Sequence, residues 1–257
     1  MADSTLIDSH CHLDAPEFDA DRAAVIARAQ AAGVVAQVIP AVRAADFAAL
    51  RALCAAHAGL YPAYGLHPCY IDEHLDAHLE EVDAYLRGAD AVAVGECGLD
   101  FFSGEWDPER QQRVLAAQLD LALRHDLPLI LHARRATEAV LLALKARPGL
   151  RGVVHSYSGS AEQARELDKL GFKLGFGGPL TYERAQRLRR LVAELPLSQI
   201  LIESDAPDQP NADRRGQRNE PAFLGSVLAQ LAAIRGLPAA ELAAITRENA
   251  RQLFGLR

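Results

Sequence analysis

Three lysines, Lys145, Lys169 and Lys173, are all this chain has among 27 basic residues, and its four cysteines (Cys11, Cys54, Cys69, Cys97) show no Cys-x-x-Cys spacing. The lack of that spacing argues against a thiolate metal cage or a dithiol redox centre, and leaves free thiols in a reducing cytoplasm as the expectation. No stretch approaches the eighteen or so apolar residues of a membrane span. Met1-Ala2-Asp3-Ser4 is acidic and polar with no apolar run behind it, so no secretory signal is expected. Aromatics are 6% of the chain, which leaves few rings for stacking bases. No glycine-rich phosphate loop follows the first apolar run, as an open dinucleotide-binding sheet usually needs. A net charge of −7 argues against a surface built to coat nucleic acid, but not against a local grip on a short stretch of backbone.

What is present is alternation. Short runs rich in Val, Ile and Leu predict strands over Leu6–His12, Val34–Pro40, Leu60–Gly65, Ala91–Gly95, Leu127–His132, Gly152–His155, Phe172–Phe176 and Ile200–Glu203. Between them lie helical patterns such as Asp21–Ala32, Asp46–His57, Leu75–Leu86, Pro108–His125 and Ala161–Leu170. In Pro108–His125, Asp107 sits where an N-cap would, Pro108 suits the first turn, and Arg110, Val114, Ala117 and Leu121 mark one face. Eight strand–helix units predict the α/β class, a (β/α)8 TIM barrel of parallel strands with helices outside. No composition shift or low-complexity segment divides residues 1–257, so one domain is expected. At 257 residues the chain is long enough to bury roughly 70–75% of its unfolded surface without disulfide or metal.

In such a barrel chemistry gathers at the C-terminal ends of the strands. The first run ends in His10-Cys11-His12, and alternation along a strand puts both imidazoles on one face. The fourth run is followed by Glu96, the fifth delivers His132, the sixth His155 and the eighth Asp205. One polar residue after four or five apolar ones often just ends a strand. Four imidazoles and two carboxylates on one rim point instead to metal. Nitrogen and oxygen donors suit Mg, Mn, Zn or Fe, and six exceed the need of one tetrahedral ion, so two divalent ions are expected. Glu96, between the two groups in strand order, is the expected bridge, with His10, His12 and Asp205 on the first ion and His132 and His155 on the second. A carboxylated lysine is not available as bridge, because no lysine lies near the ends of strands four and five. Such a pair generates hydroxide from water and clamps the oxygens of an in-line displacement, with Asp205 placed to accept the water's proton.

The chain resembles the TatD family of metal-dependent deoxyribonucleases, among the amidohydrolase-like barrels. The matching segments are Asp8-Ser9-His10-Cys11-His12-Leu13, Gly65-Leu66-His67-Pro68, Gly95-Glu96-Cys97-Gly98-Leu99-Asp100, Pro128 to Arg134, His155-Ser156-Tyr157-Ser158-Gly159 and Glu203-Ser204-Asp205-Ala206-Pro207. Arg218-Asn219-Glu220-Pro221 and Asn249 to Phe254 fit too, so the match spans the chain in order. Cys97 and Ser204 replace a common aliphatic residue and a common threonine, and neither removes a ligand. The resemblance implies the same metal ligands (His10, His12, Glu96, His132, His155, Asp205) and a 3′-to-5′ exonuclease preferring single-stranded DNA.

His67 is a candidate for phosphate or an extra metal, and the resemblance favours a functional role over packing. Arg134, two residues past His132, is placed to fork onto a phosphate or to make a surface ion pair. Arg214, Arg215 and Arg218 follow Asp205 in a basic, proline-bearing loop, and Arg218 carries the family's motif. Phe101, Phe102 and Trp106 form either a stacking platform or lid packing. His57, His74, His78 and His125 read as surface or structural, and Glu203 takes no role. The expectation is a cytoplasmic, monomeric phosphodiesterase of DNA with no membrane partner. The competing readings are a hydrolase of another ester or amide, such as an aminoacyl-tRNA deacylase, and a non-enzymatic scaffold; a complete ligand set argues against the scaffold.

Overall fold

Each of the eight apolar runs forms a strand. The computed structural model describes residues 5–102 and 107–256. Its strands are β1 (Leu6–Asp8), β2 (Val34–Pro40), β3 (Leu60–Tyr64), β4 (Ala93–Asp100), β5 (Leu129–Arg134), β6 (Gly152–Val154), β7 (Phe172–Phe176) and β8 (Ile200–Ile202). Their order in the sheet is their order in the chain, and the described pairs are parallel. This is the topology of the (β/α)8 class. The α-helices are α1 (Arg22–Ala31), α2 (Phe47–Ala56), α3 (Asp76–Leu86), α4 (Pro108–His125), α5 (Thr137–Lys145), α6 (Ala161–Lys169), α7 (Gln186–Glu194), α8 (Leu224–Arg235) and α9 (Ala239–Phe254). By its contacts the chain divides into two units, Pro40–Lys173, and Met1–Ile39 together with Leu174–Arg257.

In the Pro40–Lys173 unit β3, β4, β5 and β6 pair in succession. β4 is buried along its whole length, as parallel strands covered on both faces are. Helix α4 begins as its sequence requires: the Asp107 side chain accepts the Arg110 amide (2.9 Å) and Pro108 occupies the first turn. Its buried residues are Gln111, Leu115, Gln118, Leu119, Leu121 and Ala122. Of the face expected from Arg110, Val114, Ala117 and Leu121, Leu121 is buried, while the centre of the stripe lies one residue further on. The cause is that two glutamines take the inward stripe. Gln118 clamps both backbone groups of Leu66 (2.8 and 3.2 Å), and Gln111 clamps both of Asp100 (2.9 and 3.0 Å). A buried amide satisfied this way costs little, and each clamp holds the segment that carries a candidate site residue.

In the other unit β1 pairs with β2 and β7 with β8. Helix α9 buries Leu242, Thr246, Asn249 and Leu253 at helical spacing. Asn249 donates to the carbonyls of Leu197 (2.8 Å) and Ile200 (2.9 Å), which fixes the start of β8. The helix stops at Gly255, whose φ of 64° lies in the left-handed region.

Candidate metal centre

In the Pro40–Lys173 unit two strands run past their expected ends. β4 does not stop at Gly95 but runs to Asp100, and β5 runs past His132 to Arg134. After an irregularity between Val94 and Cys97, the pairing resumes with Cys97 opposite Leu131 and continues through Gly98 opposite His132 to Asp100 opposite Arg134. Apolarity ends at the first polar side chain, whereas main-chain pairing continues. Glu96, 1% exposed, receives three imidazoles on one oxygen. Its Oε1 lies 2.9 Å from His155 Nε2, 3.1 Å from His132 Nδ1 and 3.1 Å from His67 Nε2.

His132 Nδ1 and His155 Nε2 also face each other at 3.1 Å. Two ring N–H groups cannot point at one another at that distance, so at least one nitrogen presents a lone pair. Atoms bonded to one ion at about 2.1 Å are roughly 3 Å apart, the spacing found here. Glu96, His132 and His155 thus fit a divalent cation by donor type and by geometry, all within 4.8 Å of one another.

Asp100, in the matching motif but given no role from sequence, completes this cluster. Its Oδ2 accepts from His132 Nε2 (3.0 Å) and from the Cys69 thiol (3.3 Å), and its Oδ1 accepts the Phe102 amide (2.7 Å). Glu96 and Asp100 are four residues apart on one strand, a period-two spacing that is the available sequence signal. Burial works against the His132 imidazolium, but hydrogen bonds to Asp100 and Glu96 outweigh it and raise its pKa. A carboxylate that orients a ligating histidine contributes to metal affinity. Asp100→Ala is expected to weaken divalent-metal binding about 10–100-fold, read by competition with a chelating dye. Unchanged affinity would show that Asp100 only packs.

In the other unit β1 ends at Asp8, four residues short of expectation, yet His10 and His12 still lie side by side. Their Nε2 atoms are 3.1 Å apart. The segment leaves regular strand geometry because Ser9 N donates to Ile202 O (3.1 Å) while Cys11 N donates to Val38 O (3.1 Å). Residues of equal parity therefore bond to opposite sides. Asp205 N donates to His10 O (2.9 Å), and His12 N donates to Ala206 O (2.7 Å). Asp205 Oδ1 is 3.4 Å from His10 Nε2 and 3.7 Å from His12 Nε2. Its φ of 54° is left-handed, a conformation that aspartate tolerates better than most side chains. This trio also fits a cation. Behind it Asp8, unassigned from sequence, accepts Ser204 N (2.9 Å) and Ser204 Oγ (2.6 Å). Burial pushes Asp8 up to about 7 against the pull of those bonds.

The substrate candidates separate. His67 joins the Glu96 cluster; its Nδ1 accepts the Cys69 amide (3.1 Å), which turns Nε2 toward Glu96. Arg134 ends β5 with its guanidinium over the Phe102 ring (4.0 Å). Arg218 is engaged within its unit. It binds both oxygens of Asp21 (2.8 Å each), Glu220 (3.0 Å) and the Glu17 carbonyl (2.7 Å). Asp21 is thereby held down to about 2, chiefly by the Arg218 and Arg28 hydrogen bonds. Arg214 lies over the Phe223 ring (3.7 Å). Trp106 lies outside the described residues. His74 is structural: its Nε2 donates to the His67 carbonyl (2.8 Å). His125 pairs with Asp83 (2.7 Å). Glu203 is buried beside Gly175.

The chain matches the family model described as TatD related DNase over residues 7–255. It is 44% identical to an uncharacterized metal-dependent hydrolase, YjjV, of Escherichia coli K12, covering 97% of this chain and 98% of that one. It is 35% identical to a protein of Erwinia tasmaniensis named 3′-5′ ssDNA/RNA exonuclease TatD, covering 98% of this chain and all of the relative. The crystal structure of the Escherichia coli YjjV protein, a TatD homologue, superposes with a TM-score of 0.95 over the full length of both chains at 43% identity.

Proposed function

Because this chain belongs to the TatD-related DNase family, we propose that it is a metal-dependent hydrolase of phosphodiester bonds in DNA, shortening single strands from the 3′ end. The observation that carries the reading is the convergence of three imidazoles on Glu96 Oε1. A nitrogen and oxygen donor set without thiolate, buried at strand ends, suits Mg, Mn or Zn. In this reading His10, His12 and Asp205 would hold one ion, and Glu96, His132 and His155 a second. Two divalent ions would supply positive charge for the phosphoryl oxygens and lower the pKa of water.

The chain's own groups do the rest. Asp205 takes the proton of the attacking water on Oδ2, which Gln209 Nε2 orients by donating to it. Asp100 keeps His132 in the tautomer that turns Nδ1 toward Glu96. His67 Nε2 and Arg134 bind the phosphate, and Arg218 acts at a distance by tying the 207–221 loop to Asp21. Substrate contact by Arg134 draws on the fork geometry that phosphate favours. The reading further assigns a monomer in the cytoplasm, where its free thiols stay reduced. Among the described residues no single helix is long and apolar enough to cross a membrane.

The test is digestion of a single-stranded oligonucleotide labelled separately at each end, with magnesium, manganese or chelator. The expected result is a ladder that shortens from the 3′ end and disappears with chelator. A folded, metal-loaded protein that leaves the oligonucleotide intact would transfer the reading to acyl or amide substrates.

A further inference from the structure

We propose that Arg135, seated on the exposed ring of Phe102, is a phosphate-binding arm that holds a polynucleotide strand beyond the reacting diester. The proposal rests on the nuclease reading above and names a contact that reading does not contain. Phe102 is 46% exposed, unusual for a phenylalanine in this chain. Its place is set by the metal-centre scaffold: its amide donates to Asp100 Oδ1 (2.7 Å), and the neighbouring Phe101 amide donates to the Arg134 carbonyl (2.9 Å). The β4–β5 pairing that aligns Glu96 and His132 thus continues outward to bring Phe102 beside residues 134 and 135. The guanidinium carbon of Arg135 lies 4.3 Å from the ring centroid, and that of Arg134 lies 4.0 Å away.

Two further observations separate Arg135 from an ordinary surface arginine. Its φ is 54°, in the left-handed region that non-glycine residues rarely adopt, so the backbone accepts strain to direct this side chain. Among the described residues no carboxylate pairs with it. The contrast is with Arg28 and Arg218, whose forks are filled by Asp21 and Glu220. An aromatic face holds a guanidinium by its plane and leaves the N–H edge for an anion. A carboxylate consumes that edge. Stacking also restricts the side chain beforehand, so less freedom is lost when phosphate binds. Phe102 is then a positioning residue, acting through Arg135.

The experiment measures binding of a fluorescent oligothymidylate, capped with phosphorothioate linkages at its 3′ end, to the metal-loaded protein across a salt series. Arg135→Gly suits the left-handed backbone and removes the arm without new strain, so its thermal midpoint should equal or exceed that of the wild type. It is expected to weaken binding roughly tenfold and to make the slope of log K against log salt shallower by about 0.7. Phe102→Leu, which removes no charge, should weaken binding as well, with its loss on the cleavable strand falling on KM rather than kcat. Arg135→Lys should not restore wild-type affinity, because an ammonium neither stacks nor forks. If the wild type cleaves the uncapped strand while Arg135→Gly binds the capped one with unaltered affinity and slope, this proposal falls alone. If the wild type neither binds the capped strand nor cleaves the uncapped one, the nuclease reading falls and takes the proposal with it.

Discussion

Asp205→Asn should lower kcat on a single-stranded oligonucleotide by about a thousandfold, roughly 4 kcal/mol of transition-state stabilisation, while the protein stays folded. The separation of activity from stability follows from where Asp205 sits. Its amide bonds to the His10 carbonyl (2.9 Å), a contact the substitution leaves intact. Its φ of 54° is as acceptable to asparagine as to aspartate, so the backbone is not strained further. The two side chains are nearly isosteric, and the thermal midpoint should move by no more than about 2 °C. The negative charge and the basic oxygen are what is lost. Asparagine offers Gln209 and the imidazoles of His10 and His12 only a neutral amide, which accepts no proton at neutral pH. Raising the metal concentration distinguishes the two duties assigned to Asp205. Recovery at high metal would mark it chiefly as a ligand, whereas a persistent loss marks it as the base. Wild-type turnover in the variant would falsify both.

Gly98→Ala carries the largest expected effect on stability. Gly98 has a φ of 141°, and a Cβ there would lie 2.0 Å from the backbone carbonyl oxygen of His132. That oxygen belongs to a strand paired with β4 and cannot swing aside as a side-chain tip does. The variant must either part β4 from β5 or twist Gly98, and both routes disturb paired, buried strands. A loss of about 3–5 kcal/mol is expected, seen as a fall in thermal midpoint of roughly 10 °C. Because His132 is the residue displaced, metal affinity should drop together with stability. Gly171→Ala is the control. Its φ of 81° is also left-handed, but nothing lies within 4 Å of an added Cβ, so only backbone strain of about 1 kcal/mol remains. Equal losses in the two variants would show that the contact with His132 is not what makes Gly98 necessary.

Periodicity and end signals carried much of the architecture. β2 and β7 occupy the expected Val34–Pro40 and Phe172–Phe176, and α4 begins and ends at the expected residues. Those elements are bounded by local chemistry: a capping aspartate, a first-turn proline, a change from apolar to polar. The identity of the family was likewise written in short contiguous motifs. Elements whose limits depend on a neighbour end elsewhere than local pattern predicts. β4 continues through Glu96 to Asp100 because β5 supplies hydrogen-bond partners there, and hydropathy carries no record of a partner. β1 stops at Asp8 because its amides divide between Ile202 and Val38.

The same division runs through the candidate site. Residue type and spacing by themselves singled out the histidines and carboxylates at the strand ends, since few other side chains ligate divalent metal ions. Which groups orient them was decided by tertiary structure. Asp100 behind His132, Asp8 under Ser204, and the glutamines of α4 clamping Leu66 and Asp100 are polar residues whose partners lie on other elements. Arg218 sits in a matching motif yet has its fork filled by Asp21 and Glu220, while Arg135, in no motif, stands over an exposed ring. A side chain's intrinsic chemistry is a property of the sequence. Whether that chemistry is spent inside the fold or kept for a ligand depends on what packs beside it, and only folding brings those neighbours together.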